Sequence, residues 1–320
     1  LPRILVVAPN WIGDALTAQP LLGRLHEKIP DLQLDVLAPE WVAPVVRRMP
    51  EVGDVLVVPF RHGALQLRER WRLGRGLRSR GYRQAIVLPN AWKAALVPFF
   101  ADIPLRSGYV GESRYGLLNL LYRKDDAAMP LHYARLSEPP GKAVKEPLPA
   151  PRLRAAPHEI EAARRRFGLP ARYVALCPGA EYGPAKRWPY FRDLSDRLPQ
   201  EAVILGSASD DEAAKGVRGA NLVGKTTLDE AIDLLAGAAL VVSNDSGLMH
   251  VAAALGRPQV ALFGSSSPLH TPPLSPAARV LWLRLECSPC FERVCPLGHF
   301  RCMREMTVET VLKEIQNLGA

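Results

Sequence analysis

Short apolar runs alternate with amphipathic stretches from one end of the chain to the other. The runs at 3–8, 33–38, 54–58 and 84–88 are nearly continuous in Val, Ile, Leu and Ala. Unbroken rather than alternating hydrophobicity predicts strands covered on both faces, as in a parallel sheet. Helical periodicity follows at 15–28, 41–48, 64–80 and 91–101. A second series then begins, with strands predicted at 173–177, 202–205, 221–223, 240–243 and 259–263. Its helices fall at 158–167, 189–198, 210–217, 228–236 and 248–255. This alternation predicts an α/β protein of two open, doubly wound domains. Between the series, the prolines from Pro130 to Pro157 break both periodicities, so 124–157 reads as a linker. The domains are accordingly 1–150, with the proline-rich linker at its end, and 151–320. Facing one another, they would leave a cleft at the C-terminal ends of their strands, where ligands of open α/β sheets bind. The last helical stretch, 308–318, is a candidate to pack back on the first domain.

Composition removes several classes. Of 320 residues, 48% are hydrophobic and 23% charged, the balance of a globular protein and not of a disordered, collagen-like or coiled-coil chain. No apolar run approaches the ~20 residues that span a bilayer. The opening run is too short for a signal-peptide core, so the expected compartment is the cytoplasm. Lys and Arg total 41 against 32 acids, a net charge of +9 that favours anionic partners. Aromatic residues are only 7%, and basic residues do not interleave with them as in a base-stacking platform, so nucleic acid is not the expected partner.

Three loops carry candidate chemistry. After the first strand comes Pro9-Asn10-Trp11-Ile12-Gly13-Asp14. Gly13 lets a ligand approach the backbone, and Asp14 opens a helix, either as its cap or as a general base for an acceptor hydroxyl. The loop 177–189, rich in Gly and Pro, leads to Lys186 and Arg187 at a helix entry, where amides and the helix dipole already favour an anion. A solvated basic turn is the plainer reading. The third, Asn244-Asp245-Ser246-Gly247-Leu248-Met249-His250, stops a strand and starts an apolar helix, offering free amides to a diphosphate. The plainer reading makes Asp245 or Ser246 an N-cap and His250 a packed core residue. Hydroxyls at 265–267 lie on the same sheet edge.

Other features compete for attention. Residues 219–226 match the Walker A pattern, yet a polar helix precedes Gly219 and Leu222 and Val223 read as strand, so Lys225 is expected in a surface turn. Cys287, Cys290, Cys295 and Cys302 form a C-x2-C-x4-C-x6-C cluster before the last helix. In a reducing compartment this suggests a structural metal or Fe–S cluster, against free thiols as the alternative. Cys177 stands alone at a strand end and is expected in the core. Arginines crowd 61–83 (Arg61, Arg68, Arg70, Arg72, Arg75, Arg78, Arg80 and Arg83). They form either a solvated helix face or a surface for an anionic acceptor or lipid headgroups.

The three loops together, with Val87-Leu88-Pro89-Asn90, 95–101 and 114–119, resemble the lipopolysaccharide heptosyltransferases of glycosyltransferase family 9. The likeness runs from Arg3 to about Arg279, its motifs in the family's order. It implies a GT-B fold, with an N-terminal acceptor-binding and a C-terminal donor-binding Rossmann-like domain. It also implies inverting transfer of L-glycero-D-manno-heptose from ADP-heptose to a heptose of the lipopolysaccharide inner core. On that resemblance Asp14 is the catalytic base and Lys186 neutralises the departing diphosphate. Asp245, Ser246, Gly247, Leu248 and His250 hold the donor, with Asp229 on its ribose. Asn10, Trp11, Gly13 and Asn90 belong to the acceptor side. No cofactor is expected for catalysis, since a lysine and a helix terminus can take the leaving charge and no Asp-x-Asp motif occurs. The expected partners are ADP-heptose and a lipid-anchored core acceptor, with peripheral contact at the cytoplasmic face of the inner membrane. A heptosyltransferase with another acceptor, a Walker-type nucleotide hydrolase and a non-catalytic nucleotide-sugar binder remain as alternatives.

Overall fold

A computed structural model describes residues 1–60 and 63–319. Its chain divides into two compact units, Leu1–Ala150 and Pro151–Ala320. Each unit is a six-stranded, wholly parallel sheet wrapped by helices.

The first sheet comprises β1 (Arg3–Val7), β2 (Gln33–Pro39), β3 (Asp54–Val58), β4 (Gln84–Val87), β5 (Leu105–Tyr109) and β6 (Leu120–Tyr122), in the order β3-β2-β1-β4-β5-β6. The second comprises β7 (Val174–Cys177), β8 (Ala202–Ile204), β9 (Ala220–Asn221), β10 (Leu240–Asn244), β11 (Gln259–Phe263) and β12 (Ala278–Trp282), in the order β12-β11-β10-β7-β8-β9. Counted from each unit's own first strand, both follow the order 3-2-1-4-5-6 of a Rossmann sheet. The order in which strands are added therefore reverses between β1 and β4, and again between β7 and β10. These are the switch points where such sheets bind ligands.

The central strands are apolar because both faces are covered. Leu5, Leu37, Ala85 and Val87 lie in the first core, and Val174, Leu176, Leu240, Val242, Val260 and Leu262 in the second. Within the expected linker the structure places a helix, Met129–Ala134, which buries Pro130, His132 and Tyr133 and packs on the helix Gln19–Lys28. Pro130 sits in its first turn, where a missing N–H costs nothing. The Arg24 guanidinium then ties the following segment down by donating to the carbonyls of Lys145 (2.7 Å) and Pro147. The terminal helix, Val308–Asn317, buries Val308, Val311 and Ile315 in the core of the second unit, against β11 and the helix Phe191–Arg197. Its apolar stripe is thus buried in the second unit, whereas the sequence makes it a candidate to pack on the first. Among the described residues no helix is long and apolar enough to cross a membrane.

Candidate functional site

In the second unit, two loops meet at the β7/β10 switch point. The loop after β7 passes Gly179, where a Cβ would stand 2.2 Å from the Asp210 carboxylate carbon, so only glycine fits. It turns at Gly183 (φ +148°), where a Cβ would collide with the Arg293 carbonyl, and closes in the 3-10 turn Pro184–Lys186. Trp188 locks the turn from below: its buried indole donates to Met306 O at 2.7 Å and its backbone N–H to Asn244 Oδ1 at 3.1 Å. Asn244 completes the stitch by donating to Pro178 O at 2.7 Å.

That stitch brings Lys186 to Asp245. The ammonium donates to Asp245 Oδ2 at 2.5 Å and lies 4.9 Å from the centre of the Tyr182 ring. Ser266 Oγ donates to the same carboxylate oxygen at 2.5 Å. Ser246 is the N-cap of the helix Gly247–Ala254, accepting from Met249 N at 3.5 Å, so both sequence readings of that loop meet here: cap and candidate anion site. Gly247 and Leu248 supply the next backbone amides, half-buried at the helix start. One turn on, His250 is buried beside the pair. Burial lowers its pKa to about 4, with Asp245 pulling up and Lys186 pushing further down. It is therefore a neutral imidazole at pH 7. A lysine, first-turn amides and hydroxyls gathered on one edge are the kinds of donor that hold a phosphate or diphosphate. Ser266 is among the hydroxyls expected on this edge, whereas Tyr182, four residues before Lys186 in the same loop, was not singled out from the sequence.

Asp229 is exposed in the first turn of the helix Leu228–Gly237, behind the cap Thr227. Lys225 is exposed and donates to Asn221 O at 2.8 Å. Its motif contains β9 and not a loop, so a phosphate loop is not formed.

In the first unit, Asp14 occupies the first turn of the helix Ile12–Thr17, half-buried at the β1/β4 switch point. The N-cap position belongs to Trp11, and Asp14 uses its own carbonyl to receive Thr17 Oγ1 (3.1 Å) and Ala18 N (2.9 Å). The buried phenol of Tyr133 has its pKa raised, first by burial and then by the Asp14 charge. A cavity of about 430 Å³ opens at the C-terminal ends of the neighbouring strands. Asn10 lines it, whereas Trp11, Gly13 and Asn90 do not. Trp11 is exposed, and Asn90 Oδ1 receives the Arg114 guanidinium at 3.3 Å. Trp41, Trp92, Lys93 and Glu112 line the cavity without having been singled out from the sequence, and Arg70 of the arginine segment lines it with them. Their signal was present: two exposed indoles, Trp41 and Trp92, each just beyond a strand end. Trp41 is held by its N–H on Asn10 O at 2.8 Å.

The cysteines converge. Cys287, Cys290, Cys295 and Cys302 line one small cavity with His299. Among the described residues, however, no three of His, Cys, Asp and Glu are grouped so as to hold a metal ion, and all five cysteines are free thiols. The expectation of a structural metal or Fe–S cluster gains no support from this arrangement. The spacing brings the four into one loop region, yet Cys302 starts a helix and turns into the core, where burial raises its pKa to about 11. Cys177 is buried, its pKa pushed up to about 12 by burial.

The arginine segment divides by function. Arg70 is buried, donating to Leu65 O (2.6 Å) and Lys93 O (3.1 Å) over the Phe60 ring. Arg78 pairs with Asp102 and Arg80 with Asp54, both at 2.6 Å. Arg68, Arg72, Arg75 and Arg83 are exposed, while Arg61 lies outside the described residues.

Residues 70–301 match the family model described as glycosyltransferase family 9 (heptosyltransferase). Lipopolysaccharide heptosyltransferase 2 of Escherichia coli (strain K12) is 42% identical, with 99% of this chain and 98% of that protein covered. Lipooligosaccharide heptosyltransferase 2 of Haemophilus influenzae is 41% identical over 88% of each. A solved structure of E. coli ADP-heptose lps heptosyltransferase II superposes with a TM-score of 0.88 at 39% identity, covering 99% of this chain and 98% of that one. With two Rossmann-like parallel sheets in the GT-B class and a match of this length, the chain belongs to glycosyltransferase family 9, the heptosyltransferases.

Proposed function

We propose that the protein transfers L-glycero-D-manno-heptose from ADP-heptose to the first heptose of the lipopolysaccharide inner core, inverting the anomeric centre. The Lys186–Asp245 pair at the start of the helix Gly247–Ala254 carries the reading. A diphosphate leaving group gathers negative charge as its bond to the sugar breaks. Fixed donors aimed at that charge stabilise the transition state more than the ground state. Lys186 and the Ser246 and Gly247 amides are such donors. Leu248 and neutral His250 shape the donor pocket, and Asp229 is assigned to the ribose hydroxyls.

The acceptor is assigned to the first unit. Asp14 takes the proton of the attacking hydroxyl, the new bond forms from that oxygen to the sugar C1, and the bond from C1 to the phosphate oxygen breaks, releasing ADP. Trp41 and Trp92 offer flat faces to sugar rings, Asn10 and Glu112 hydrogen bonds, and Lys93 a cation for an acidic core sugar or phosphate. No residue is assigned to a metal. The reaction is placed at the cytoplasmic face of the inner membrane, because its acceptor is anchored in lipid.

Mass spectrometry of products formed from ADP-heptose and defined truncated cores tests the reading. Addition of one heptose to the acceptor bearing a single core heptose, and to no shorter core, is the expected result. Transfer only to a heptose-free core assigns the chain to a family member with a different acceptor.

A further inference from the structure

We infer that the outer face of the helix Leu67–Leu77 is the surface by which this protein docks on an anionic lipid bilayer. The inference rests on the reading above, in which the acceptor is lipid-anchored. The inner face of the helix is fixed by Arg70, Gly74 and Leu77, one helical stripe, all buried. At Gly74 a Cβ would meet Phe100 at 2.5 Å, so this stripe lies tight on the neighbouring helix Leu96–Phe100. The opposite arc holds Arg68, Arg72 and Arg75, with Trp71 on its flank and Leu67 one turn before Trp71 at the helix start, and every one is exposed. Leu67 and Trp71 are each 49% exposed. The only acid of the helix is Glu69, against four arginines.

Two observations point to lipid as the occupant. One is chemistry: an apolar pair flanked by arginines suits a bilayer interface, where indoles sit at headgroup level and guanidinium groups meet phosphates. The Arg75 guanidinium already lies 5.8 Å from the centre of the Trp71 ring, a cation held beside its apolar partner. The other is continuity. Leu65, 40% exposed, and Arg70 line the cavity assigned to the acceptor, and Arg70 reaches Lys93 O from the buried side of this helix. A helix that forms the wall of the acceptor cavity on one side and offers a basic, apolar face on the other would hold that cavity at the height of a lipid-anchored substrate.

Flotation of the full-length protein with vesicles tests the proposal. Wild type should float with phosphatidylcholine vesicles containing phosphatidylglycerol and release at high salt, but not with phosphatidylcholine alone. Each arginine near an anionic surface is worth roughly fivefold in partitioning, so Arg68→Gln/Arg72→Gln/Arg75→Gln should lose on the order of a hundredfold. Trp71→Ser should weaken flotation at low salt and lower the salt concentration at which the protein is released. Arg165→Gln/Arg166→Gln, on the exposed helix Pro157–Arg166 of the second unit, lowers the net charge elsewhere and should change partitioning less than twofold. Equal losses from both sets of variants, or no flotation of wild type, overturn the proposal. So does a concentration-dependent dimer, seen by sedimentation, that these substitutions abolish while flotation is unchanged. Turnover on a deacylated, water-soluble core acceptor should be unaltered in the triple variant. If wild type fails on that acceptor but floats, the functional reading falls and the docking surface stands.

Discussion

Lys186 Nζ lies 2.5 Å from Asp245 Oδ2, although 59 residues separate them, and the same oxygen receives Ser266 Oγ. Asp245 is 5% exposed and Lys186 17%, so the pair is largely withdrawn from water. Removing only the cation strands a buried carboxylate, a loss of roughly 3 kcal/mol or more in stability. Lys186→Met should therefore be less stable than Lys186→Met/Asp245→Asn, measured by urea unfolding. Both should lower kcat by about 10²–10³, because neither can neutralise the diphosphate. If the double variant is no more stable than the single one, the pair is not the buried unit described here.

Asp14 is assigned a different duty, so its loss should have a different signature. Asp14→Ala should reduce kcat by about 10²–10⁴, the range for losing a general base. Affinity for ADP, measured by titration calorimetry, should stay within twofold, since the donor is assigned to the other unit. Undiminished turnover removes Asp14 from the mechanism.

Gly179 sets the path of the loop that ends at Lys186, through its approach to the Asp210 carboxylate. That carboxylate is committed: Oδ2 receives Ser207 N at 2.9 Å and Ser207 Oγ at 2.8 Å, so it has little room to withdraw. Gly179→Ala should cost about 1–3 kcal/mol as overpacking of a filled site. It should also raise the KM for ADP-heptose by shifting the lysine turn. Thermal unfolding and steady-state kinetics read the two effects separately.

The strands most legible in the sequence were those in the middle of each sheet, because burial on two faces leaves an unbroken apolar run. β5 escaped because Arg106 and Ser107 interrupt it. Arg106 folds back to donate to Ile103 O and Leu117 O, each at 2.6 Å, and Ser107 Oγ donates to Ala85 O at 3.3 Å. β12 escaped as an edge strand, half-exposed and without a clean period. The helix Met129–Ala134 was hidden by the prolines that elsewhere signal a linker. In the site, Lys186, Ser246 and His250 could be picked out from local punctuation, a Gly/Pro loop and a strand that stops at small polar residues. The pairing of Lys186 with Asp245 could not, since it depends on β7 lying beside β10. For the cysteines, spacing was readable and geometry was not: proximity in sequence left Cys302 facing the core.

His250 makes the protein acid-sensitive in a defined window. Its pKa is about 4 in the folded chain, lowered chiefly by burial, against about 6.5 for an unperturbed histidine. The unfolded chain therefore takes up a proton as pH falls through 6.5, while the folded one does so only near 4. Stability associated with His250 is complete above pH 6.5, declines as pH drops and is lost below 4. The loss amounts to about 2 kcal/mol by pH 5 and roughly 3 kcal/mol at the limit. His250→Gln, which cannot titrate, should show a smaller fall in urea midpoint between pH 7 and pH 5 than wild type. Equal falls in the two proteins would place the acid sensitivity elsewhere.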